Sequence, residues 1–366
     1  FMRAYVLGYV PWLESQLIYH AQPRVGLEGV NILAPREPYV CIGYHQDPEQ
    51  EVDLAFCQEQ GLPVFRREVG GGAVYLDGNQ IFYQIVLHRD NPLAQGSKLA
   101  FYRRMLEPIA DTYADLGVPA LYRPVNDVVT TAGRKISGTG AATIGEYVVL
   151  VGNLIADFDY ERMASVLRVP DEKYRDKVFK SMQENLTTLK RETGRAYGWD
   201  ELVPPLLRRL GQVLGPLEEA ELPTAVRDEV EELKARFQSA EWLFRKSRPK
   251  ALHSVKIATG VHVVQRVHKA PGGLIRATAE VKDGRWAWVS LSGDFFCYPP
   301  DAISELEASL EGALCAQSQE VVNNLAGWQR YCTQPIHRIS TEGDHFSIFR
   351  EPHVEGLARS LGHLLD

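Results

Sequence analysis

Residues 66–79 read Arg-Arg-Glu-Val-Gly-Gly-Gly-Ala-Val-Tyr-Leu-Asp-Gly-Asn, so two arginines precede three consecutive glycines. The flanking stretches 62–66 and 81–87 are short, apolar and rich in strand-forming residues, which predicts that the glycines lie between strands. Consecutive glycines cost backbone entropy on folding. They usually occur where a positive φ is needed or where the backbone approaches a ligand closely. The glycines alone fit a hairpin corner equally well. Arg66 and Arg67 favour an anion-binding loop, because guanidinium groups suit carboxylates and phosphates.

The composition is that of a globular protein with more than one core. The chain has 366 residues, 45% of them apolar and 24% charged, and this length predicts two domains. Lys and Arg number 40 against 47 Asp and Glu, a net charge of -7, which disfavours nucleic-acid binding. There is no apolar run near 18 residues and no secretion signal, so we expect no membrane span and a cytoplasmic location.

The cysteines indicate neither a disulfide framework nor a zinc site. They are five in number, widely spread and without a C-x-x-C pair, and we expect them to be reduced and mostly buried. The ten histidines are scattered, which favours structural roles over metal ligation.

Strand and helix patterns alternate along the chain. The predicted strands are 38–43, 62–66, 73–76, 81–87, 125–131, 134–138, 147–155, 274–281 and 285–292. The predicted helices are 52–60, 97–116, 160–167, 199–214, 223–237 and 301–310. Asp77-Gly78 is a hairpin-turn signal that predicts pairing of 73–76 with 81–87. The basic, proline-containing segment 245–250 is interpreted as a linker.

A second motif follows the glycine-rich loop. Asn126-Asp127 is followed by Gly133-Arg134-Lys135-Ile136-Ser137-Gly138, which places an amide, a carboxylate and an ammonium on neighbouring predicted strands. Taken alone, Lys135 fits a solvated surface lysine better than a functional one. Neither glycine cluster matches the phosphate-binding or dinucleotide-binding fingerprint.

Together the two motifs resemble the lipoate-protein ligase family. The motifs that show this resemblance are R-R-x-x-G-G-G-A-V-x-x-D at 66–77 and N-D followed by G-R-K-I-S-G at 126–138. The resemblance extends from about Pro38 to about Leu189. Residues 273–296 resemble, more loosely, the family's accessory domain. The resemblance implies an α+β catalytic domain over 2–244, with a mixed or antiparallel sheet and flanking helices. A smaller α+β domain over 251–366 would follow the linker at 245–250.

The resemblance also implies a two-step reaction. Lipoate reacts with ATP, with Mg²⁺ present, to give lipoyl-AMP and pyrophosphate, and a carrier lysine then displaces AMP to form an amide. The implied carriers are apo lipoyl domains of 2-oxoacid dehydrogenase E2 subunits or the glycine cleavage H protein. The expected enzyme is a monomer.

The family motifs imply which residues form the site. Lys135 is the expected catalytic residue, bridging the acyl oxygen and the α-phosphate. Residues expected to contact substrate or adenylate are Arg67, Gly70, Gly71, Gly72, Ala73, Val74, Asn79, Asn126, Asp127, Ser137 and Gly138. Asp127 is also the expected metal contact. The apolar side chains available for an acyl tunnel are Val74, Leu76, Tyr83 and Ile85.

At one place the sequence departs from the family pattern, so the resemblance does not determine the acyl pocket or the exact substrate. The family often has a histidine and a glycine ahead of its next strand, where this chain has Gly145–Leu150. One alternative function is an octanoyl or lipoyl transferase that uses a cysteine thioester without ATP, although no cysteine occurs between Cys57 and Cys297. Another is a non-catalytic module that binds lipoate or a lipoylated protein. Biotin ligase is disfavoured because its G-R-G-R signature is missing from the corresponding loop.

Overall fold

The computed structural model describes residues 1–248, 261–270, 273–297 and 301–314. Its strands are β1 Met2–Val10, β2 Gly29–Pro35, β3 Tyr39–Ile42, β4 Val64–Arg66, β5 Val74–Leu76, β6 Gln80–His88, β7 Ala120–Arg123, β8 Asp127–Thr130, β9 Lys135–Ser137, β10 Thr139–Ile144, β11 Tyr147–Ile155, β12 Leu217–Glu219, β13 Val261–Ala270, β14 Gly273–Lys282 and β15 Arg285–Asp294. Its helices are α1 Trp12–Arg24, α2 Pro48–Glu51, α3 Leu54–Glu59, α4 Lys98–Asp115, α5 Tyr160–Val166, α6 Glu172–Asn185, α7 Leu189–Thr193, α8 Trp199–Leu214, α9 Thr224–Phe237, α10 Ala240–Leu243 and α11 Ala302–Leu310.

The chain divides into two compact units. The first contains residues 1–42, 51–69 and 73–243. The second contains 43–50, 70–72 and the described residues from Phe244 onward. The three consecutive glycines therefore group with the C-terminal part of the chain.

A six-stranded mixed sheet is the main sheet of the first unit. Its strand order is β10-β11-β6-β2-β1-β12, antiparallel from β10 to β2 and parallel from β2 to β12. The inner strands β2 and β6 are buried along almost their whole length, as expected of apolar strands paired on both sides. Helix α1 packs on β2 and β6, and α4 packs against α8. The predicted α+β class with a mixed sheet is confirmed.

Helix α4 forms where its sequence predicts it. Ser97 is the N-cap, and its side chain accepts a hydrogen bond from the Ala100 N–H. Leu106, Ile109 and Tyr113 recur at helical spacing and are completely buried.

The predicted hairpin between 73–76 and 81–87 is wrong. The turn forms, with the Gln80 N–H donating to the Asp77 carbonyl over 3.2 Å. However, β5 pairs with β3 in a small β4-β3-β5 sheet, whereas β6 runs between β2 and β11. Strand β6 has nine residues, and pairing it with two long apolar strands satisfies far more backbone groups than the three-residue β5 offers.

The second predicted hairpin is confirmed. Strands β8 and β9 are antiparallel, with Val128 opposite Ser137 and Val129 opposite Lys135. Gly133 turns the chain with a φ of +82°, a left-handed conformation that favours glycine. The Gly133 N–H donates to the Thr130 carbonyl over 2.8 Å. The turn thus fixes the position of β9 in its sheet.

The second unit contains an antiparallel β13-β14-β15 sheet and helix α11. Trp286, Leu291, Phe295 and Leu306 form part of its core. The predicted strands at 274–281 and 285–292 and the helix at 301–310 are confirmed, whereas β13 was not predicted. The residues of the predicted accessory domain beyond 314, including Cys315 and Cys332, lie outside the described residues.

The segment interpreted as a linker is partly buried in this second unit. Lys246 is 3% exposed and its ammonium lies 2.7 Å from both carboxylate oxygens of Glu307. Residues 249–250 lie outside the described residues. None of the helices in the described ranges combines the length and apolar character that crossing a bilayer requires.

Candidate active site

Lys135 has a fixed backbone and an accessible ammonium group. It lies on β9 opposite Val129, and its carbonyl accepts the Thr187 N–H over 2.8 Å. The next residue, Ile136, is completely buried, and its carbonyl accepts the Tyr113 hydroxyl over 2.6 Å. The Lys135 side chain is 36% exposed. The Lys135 side chain is therefore anchored on a rigid strand, and its ammonium group is accessible to solvent.

Asp127 holds the Lys135 ammonium. The Lys135 Nζ lies 2.7 Å from Asp127 Oδ1, and Arg123 Nη2 donates to Asp127 Oδ2 over 2.9 Å. Burial acts to raise the pKa of Asp127, but the Lys135 and Arg123 charges outweigh burial and hold that pKa below its usual value. Asp127 is therefore a carboxylate at neutral pH, and it orients Lys135.

The residues near Lys135 do not fit a resident metal ion. Both Asp127 oxygens already face cationic groups. Across the described parts of the chain, no group of three or more His, Cys, Asp and Glu side chains is arranged to hold a metal. We therefore assign no step to a protein-bound metal. The Asp127 metal contact stays a prediction.

Ser137, Gly138 and Asn126 are held by backbone and side-chain hydrogen bonds. The buried Ser137 hydroxyl donates to the Asn153 carbonyl over 2.6 Å and lies 3.0 Å from the Tyr83 hydroxyl oxygen. The Gly138 N–H donates to Asn153 Oδ1 over 2.9 Å. Asn126 Nδ2 donates to the Thr139 carbonyl over 2.7 Å. The structure thus brings these predicted residues together with Lys135.

Asn153 and Thr187 contact the Lys135 strand but were missed from the sequence. Thr187 lies in Glu184–Leu189, the late segment that resembles the family, and this position was the only signal for it. Asn153 is a single polar residue in the apolar run 147–155, and its partner strand is set only by the fold.

The adjacent arginines have different environments. Arg66 is completely buried, with its Nε donating to the Trp242 carbonyl over 3.0 Å and its Nη2 to the Leu243 carbonyl over 2.5 Å. Arg67 is half-buried, and one of its bonds runs from Nη1 to the Cys41 carbonyl over 3.3 Å. Arg66 is thus a structural residue, contrary to the expectation that both arginines serve an anion, and only Arg67 remains a candidate.

The glycine-rich loop packs closely against another backbone segment of the second unit. Gly71 has a φ of +94°, and its N–H donates to the Phe295 carbonyl over 3.3 Å. A Cβ on Gly70 would lie 2.7 Å from the same carbonyl oxygen, too close for any side chain. The Asp294 side chain lies beside Gly72, and its Oδ2 would be 3.0 Å from a Cβ built on Gly72. The glycines are therefore needed for close approach to Phe295 and Asp294 of the same unit, and their predicted approach to a ligand stays a prediction.

The remaining predicted contacts differ in exposure. Ala73 is half-buried, Val74 is 37% exposed, and Asn79 is exposed. The other proposed tunnel residues, Leu76, Tyr83 and Ile85, are buried. A surface cleft of about 460 Å³ opens beside Asn79; it is lined by Asp77, Asn79, Asp157, Phe158, Asp159, Tyr160, Glu161, Phe179 and Gln183. Its four carboxylates make it unfavourable for a bare phosphate.

The Gly145–Leu150 departure falls on a hairpin turn and the strand after it. Gly145 and Glu146 turn the chain between β10 and β11, with Ile144 opposite Tyr147. Within β11, a Cβ on Gly152 would lie 2.3 Å from the Tyr83 hydroxyl oxygen. The close packing of Tyr83 on Gly152 is a feature of this site that the sequence did not reveal.

The two cysteines of the first unit are poor nucleophiles. Cys41 and Cys57 are at most 1% exposed. Burial raises the pKa of the Cys41 thiol, and the Arg67 charge offsets only part of this effect. Burial and the nearby Asp53 raise the pKa of Cys57 to about 11. Both are therefore thiols at neutral pH, and the thiolate is the reactive form.

The comparisons with known proteins place the mixed sheet and its adjoining lysine hairpin in a catalytic domain of the ligase and acyltransferase class. The chain belongs to the lipoyl protein ligase A/B catalytic domain family, whose model matches residues 15–211, more than half of the chain. Lipoate-protein ligase LplJ of Bacillus subtilis is 26% identical over 303 residues, which cover 82% of this chain and 85% of the relative.

Other relatives include an acyltransferase and a solved ligase. Octanoyltransferase LipM of Kyrpidia tusciae is 26% identical over 255 residues, 64% of this chain and 92% of the relative. A solved structure from the bipartite lipoate protein ligase and E2 lipoyl domain of Thermoplasma acidophilum is 25% identical, with a TM-score of 0.60 over 68% of this chain and 99% of that chain. The family thus includes relatives named for ligase and for transferase activity.

Proposed function

We propose that this chain is an ATP-dependent lipoate-protein ligase. A carboxylate oxygen of lipoate attacks the α-phosphorus of ATP, the bond to the β-phosphate oxygen breaks, and pyrophosphate leaves. The neutral amine of a carrier lysine then attacks the acyl carbon of lipoyl-AMP. AMP leaves, the nitrogen loses its proton, and an amide is formed.

The placement of Lys135 is the observation that carries the proposal. A carboxylate and a triphosphate repel each other, so their reaction requires positive charge at the point of attack. Lys135 supplies a half-exposed ammonium from a rigid strand. Its three N–H donors can bind Asp127 and still reach substrate oxygens. The same charge stabilises the transition states of both steps.

The other residues are assigned by their neighbourhood and the family motifs. Arg67 is the proposed clamp for the adenylate, and Gly70–Gly72 are proposed to allow close approach of the backbone to the acyl-adenylate. Ala73, Val74, Asn79, Asn126, Asp127, Ser137 and Gly138 are the further proposed contacts. Mg²⁺ enters with ATP as part of the substrate. We propose the domain limits 2–244 and 251–366, joined by the basic segment 245–250.

A lysine of an apo lipoyl domain is the proposed acceptor. The T. acidophilum ligase was solved in a study with its E2 lipoyl domain, which supports a carrier of that type here. An E2 subunit or the glycine cleavage H protein would supply such a domain.

The similarity to octanoyltransferase LipM favours one alternative, acyl transfer through a cysteine thioester. The burial and raised pKa of Cys41 and Cys57 argue against those two thiols as the nucleophile. The proposal therefore predicts that transfer depends on ATP.

The test is incubation of the protein with lipoate or octanoate, an apo lipoyl domain and Mg-ATP, followed by intact-mass measurement of the carrier. The proposal predicts an acylated carrier only when ATP is present. A parallel reaction supplies an octanoylated carrier as donor and no ATP. Acyl transfer in that reaction, with an acyl group trapped on a cysteine of this protein, would establish the transferase instead.

A further inference from the structure

Three hydrogen bonds join Gly138, close to Lys135, to Tyr75 on β5 through two amide side chains, the half-buried Asn153 and the buried Gln80. The Gly138 N–H donates to Asn153 Oδ1 over 2.9 Å, and Asn153 Nδ2 donates to Gln80 Oε1 over 2.7 Å. Gln80 Nε2 then donates to the Tyr75 carbonyl over 3.1 Å. Gln80 is only 1% exposed. This amide relay, Gly138-Asn153-Gln80-Tyr75, connects the junction between β9 and β10 to β11, β6 and β5 within the first unit.

The backbone fixes the direction of every bond in the amide relay. A backbone N–H is only a donor, so Asn153 must present its oxygen to Gly138 and its NH₂ to Gln80. Gln80 must then present its oxygen to Asn153, which leaves its NH₂ for the Tyr75 carbonyl, an obligate acceptor. Each amide therefore has one orientation, and a carboxylate at either position breaks one bond.

The amide relay ends beside the Lys135 side chain. A Cβ built on Gly138 would lie 3.8 Å from Lys135 Cε. The Asn153 carbonyl also accepts the Ser137 hydroxyl over 2.6 Å. Asn153 therefore bonds both Ser137, the last residue of β9, and Gly138, the residue after it. A shift of Gly138 would move the backbone against which the Lys135 side chain lies.

We propose that Gln80 and Asn153 are positioning residues for Lys135. Their side chains hold the backbone of Gly138 at a fixed place relative to Tyr75, and so set where the lysine ammonium meets the reacting atoms. The role rests on the proposed ligase function. Misplacement of a catalytic group by about 1 Å can cost roughly 10²-fold in rate, so such support carries a measurable effect.

The test is the pH profile of Gln80→Glu. When ionised, the introduced carboxylate still accepts from Asn153 but turns an oxygen toward the Tyr75 carbonyl, whereas its protonated form regains the missing donor. Burial favours the neutral acid, so its titration falls in an accessible pH range. We expect kcat for pyrophosphate release to fall roughly ten- to hundredfold at pH 8 and to recover toward wild type near pH 6. The KM for lipoate should change little.

Gln84→Glu is the matched control. Gln84 lies on the same strand, is also 1% exposed, donates to the Ser15 carbonyl over 2.6 Å and accepts from Asn31 Nδ2 over 3.1 Å. It therefore tests a buried carboxylate in the same kind of bonding, without a link to Gly138. We expect its kcat per folded molecule to show no recovery specific to low pH.

Hydrogen exchange of the Gly138 amide gives a readout that does not need turnover. The proposal predicts faster exchange at pH 8 in Gln80→Glu than in Gln84→Glu. If Gln80→Glu does not fold, Asn153→Asp replaces it, because the introduced carboxylate accepts from Gly138 but cannot donate to Gln80. If the wild-type protein forms no lipoyl-AMP, the proposed function is wrong. The hydrogen-exchange result still tests the amide relay in that case. Equal kcat profiles and equal Gly138 exchange in the two glutamate variants would overturn the relay.

Discussion

Arg66 and Arg67 are neighbours in sequence, but we expect replacement of Arg66 to reduce stability and replacement of Arg67 to reduce activity. Arg66→Met removes the charge-assisted bonds of a completely buried guanidinium to the Trp242 and Leu243 carbonyls, and we expect it to lower the free energy of unfolding by about 2 kcal/mol. Arg67→Met removes a half-buried cation, and we expect a loss of roughly tenfold or more in kcat/KM with little change in stability. Urea denaturation and pyrophosphate release separate the two effects. Equal losses of stability and activity in both variants would contradict the assignment.

Asp127 should contribute stability above the pH at which it titrates. Its folded pKa lies below the unfolded value, so its stabilisation is complete above about pH 4 and is lost as pH falls through the lower folded pKa. The melting temperature of wild type should therefore exceed that of Asp127→Asn near pH 7, and the difference should shrink below about pH 4. A difference that is constant across this range would show that the ion pair adds no stability.

The residues of the Lys135 hairpin were predictable and their supports were not. Lys135, Ser137 and Gly138 belong to a contiguous motif that the sequence displays directly. Asn153 and Gln80 lie 73 positions apart, and they meet because β6 and β11 pair. Arg66 was misread because a buried arginine and a ligand-binding arginine look the same in sequence.

His20 joins helix α1 to the segment after β4. Its ring is completely buried, Nδ1 lies 2.7 Å from the Gln16 carbonyl oxygen, and Nε2 accepts the Glu68 N–H over 3.1 Å. Burial lowers the pKa of His20 to about 4, although the Glu68 carboxylate acts to raise it. The neutral ring is therefore the form that connects the two elements at neutral pH.

This arrangement predicts a loss of stability on mild acidification. Between about pH 6.5 and pH 4 the unfolded chain binds a proton at His20 that the folded chain does not, which costs about 3 kcal/mol in total. His20→Gln should reduce the slope of unfolding free energy against pH in this range. His88→Gln, at a half-exposed histidine on β6, is the control for loss of an imidazole elsewhere in the first unit. Equal slopes for wild type and His20→Gln would contradict the prediction.

Local patterns predicted many of the helices and strands, but they predicted pairing correctly only for the short β8–β9 hairpin. The Ser97 cap and the helical spacing of Leu106, Ile109 and Tyr113 were sufficient for α4. The Asp77-Gly78 signal predicted a real turn but a wrong hairpin, because pairing depends on strands that are distant in sequence. The antiparallel pairing of β6 with β11 is what brings the Tyr83 hydroxyl against Gly152.

In the proposed function, catalysis by the whole molecule depends on Lys135, which acts on substrates bound from solution. Family membership covers ligases and octanoyltransferases, so ATP dependence is the property that separates the two mechanisms for this protein. Lys135→Ala should reduce adenylate formation by roughly 10²-fold or more, since it removes the charge that stabilises the transition state. Lys190→Ala is the matched control, because Lys190 Nζ also pairs with an aspartate, Asp157, over 2.6 Å.

Mass-spectrometric detection of lipoyl-AMP, from lipoate and Mg-ATP without any carrier, tests the central claim most directly. We predict that wild type and Lys190→Ala form lipoyl-AMP together with an equal amount of pyrophosphate, and that Lys135→Ala does not. Absence of lipoyl-AMP with wild type, or near-normal formation with Lys135→Ala, would contradict the account.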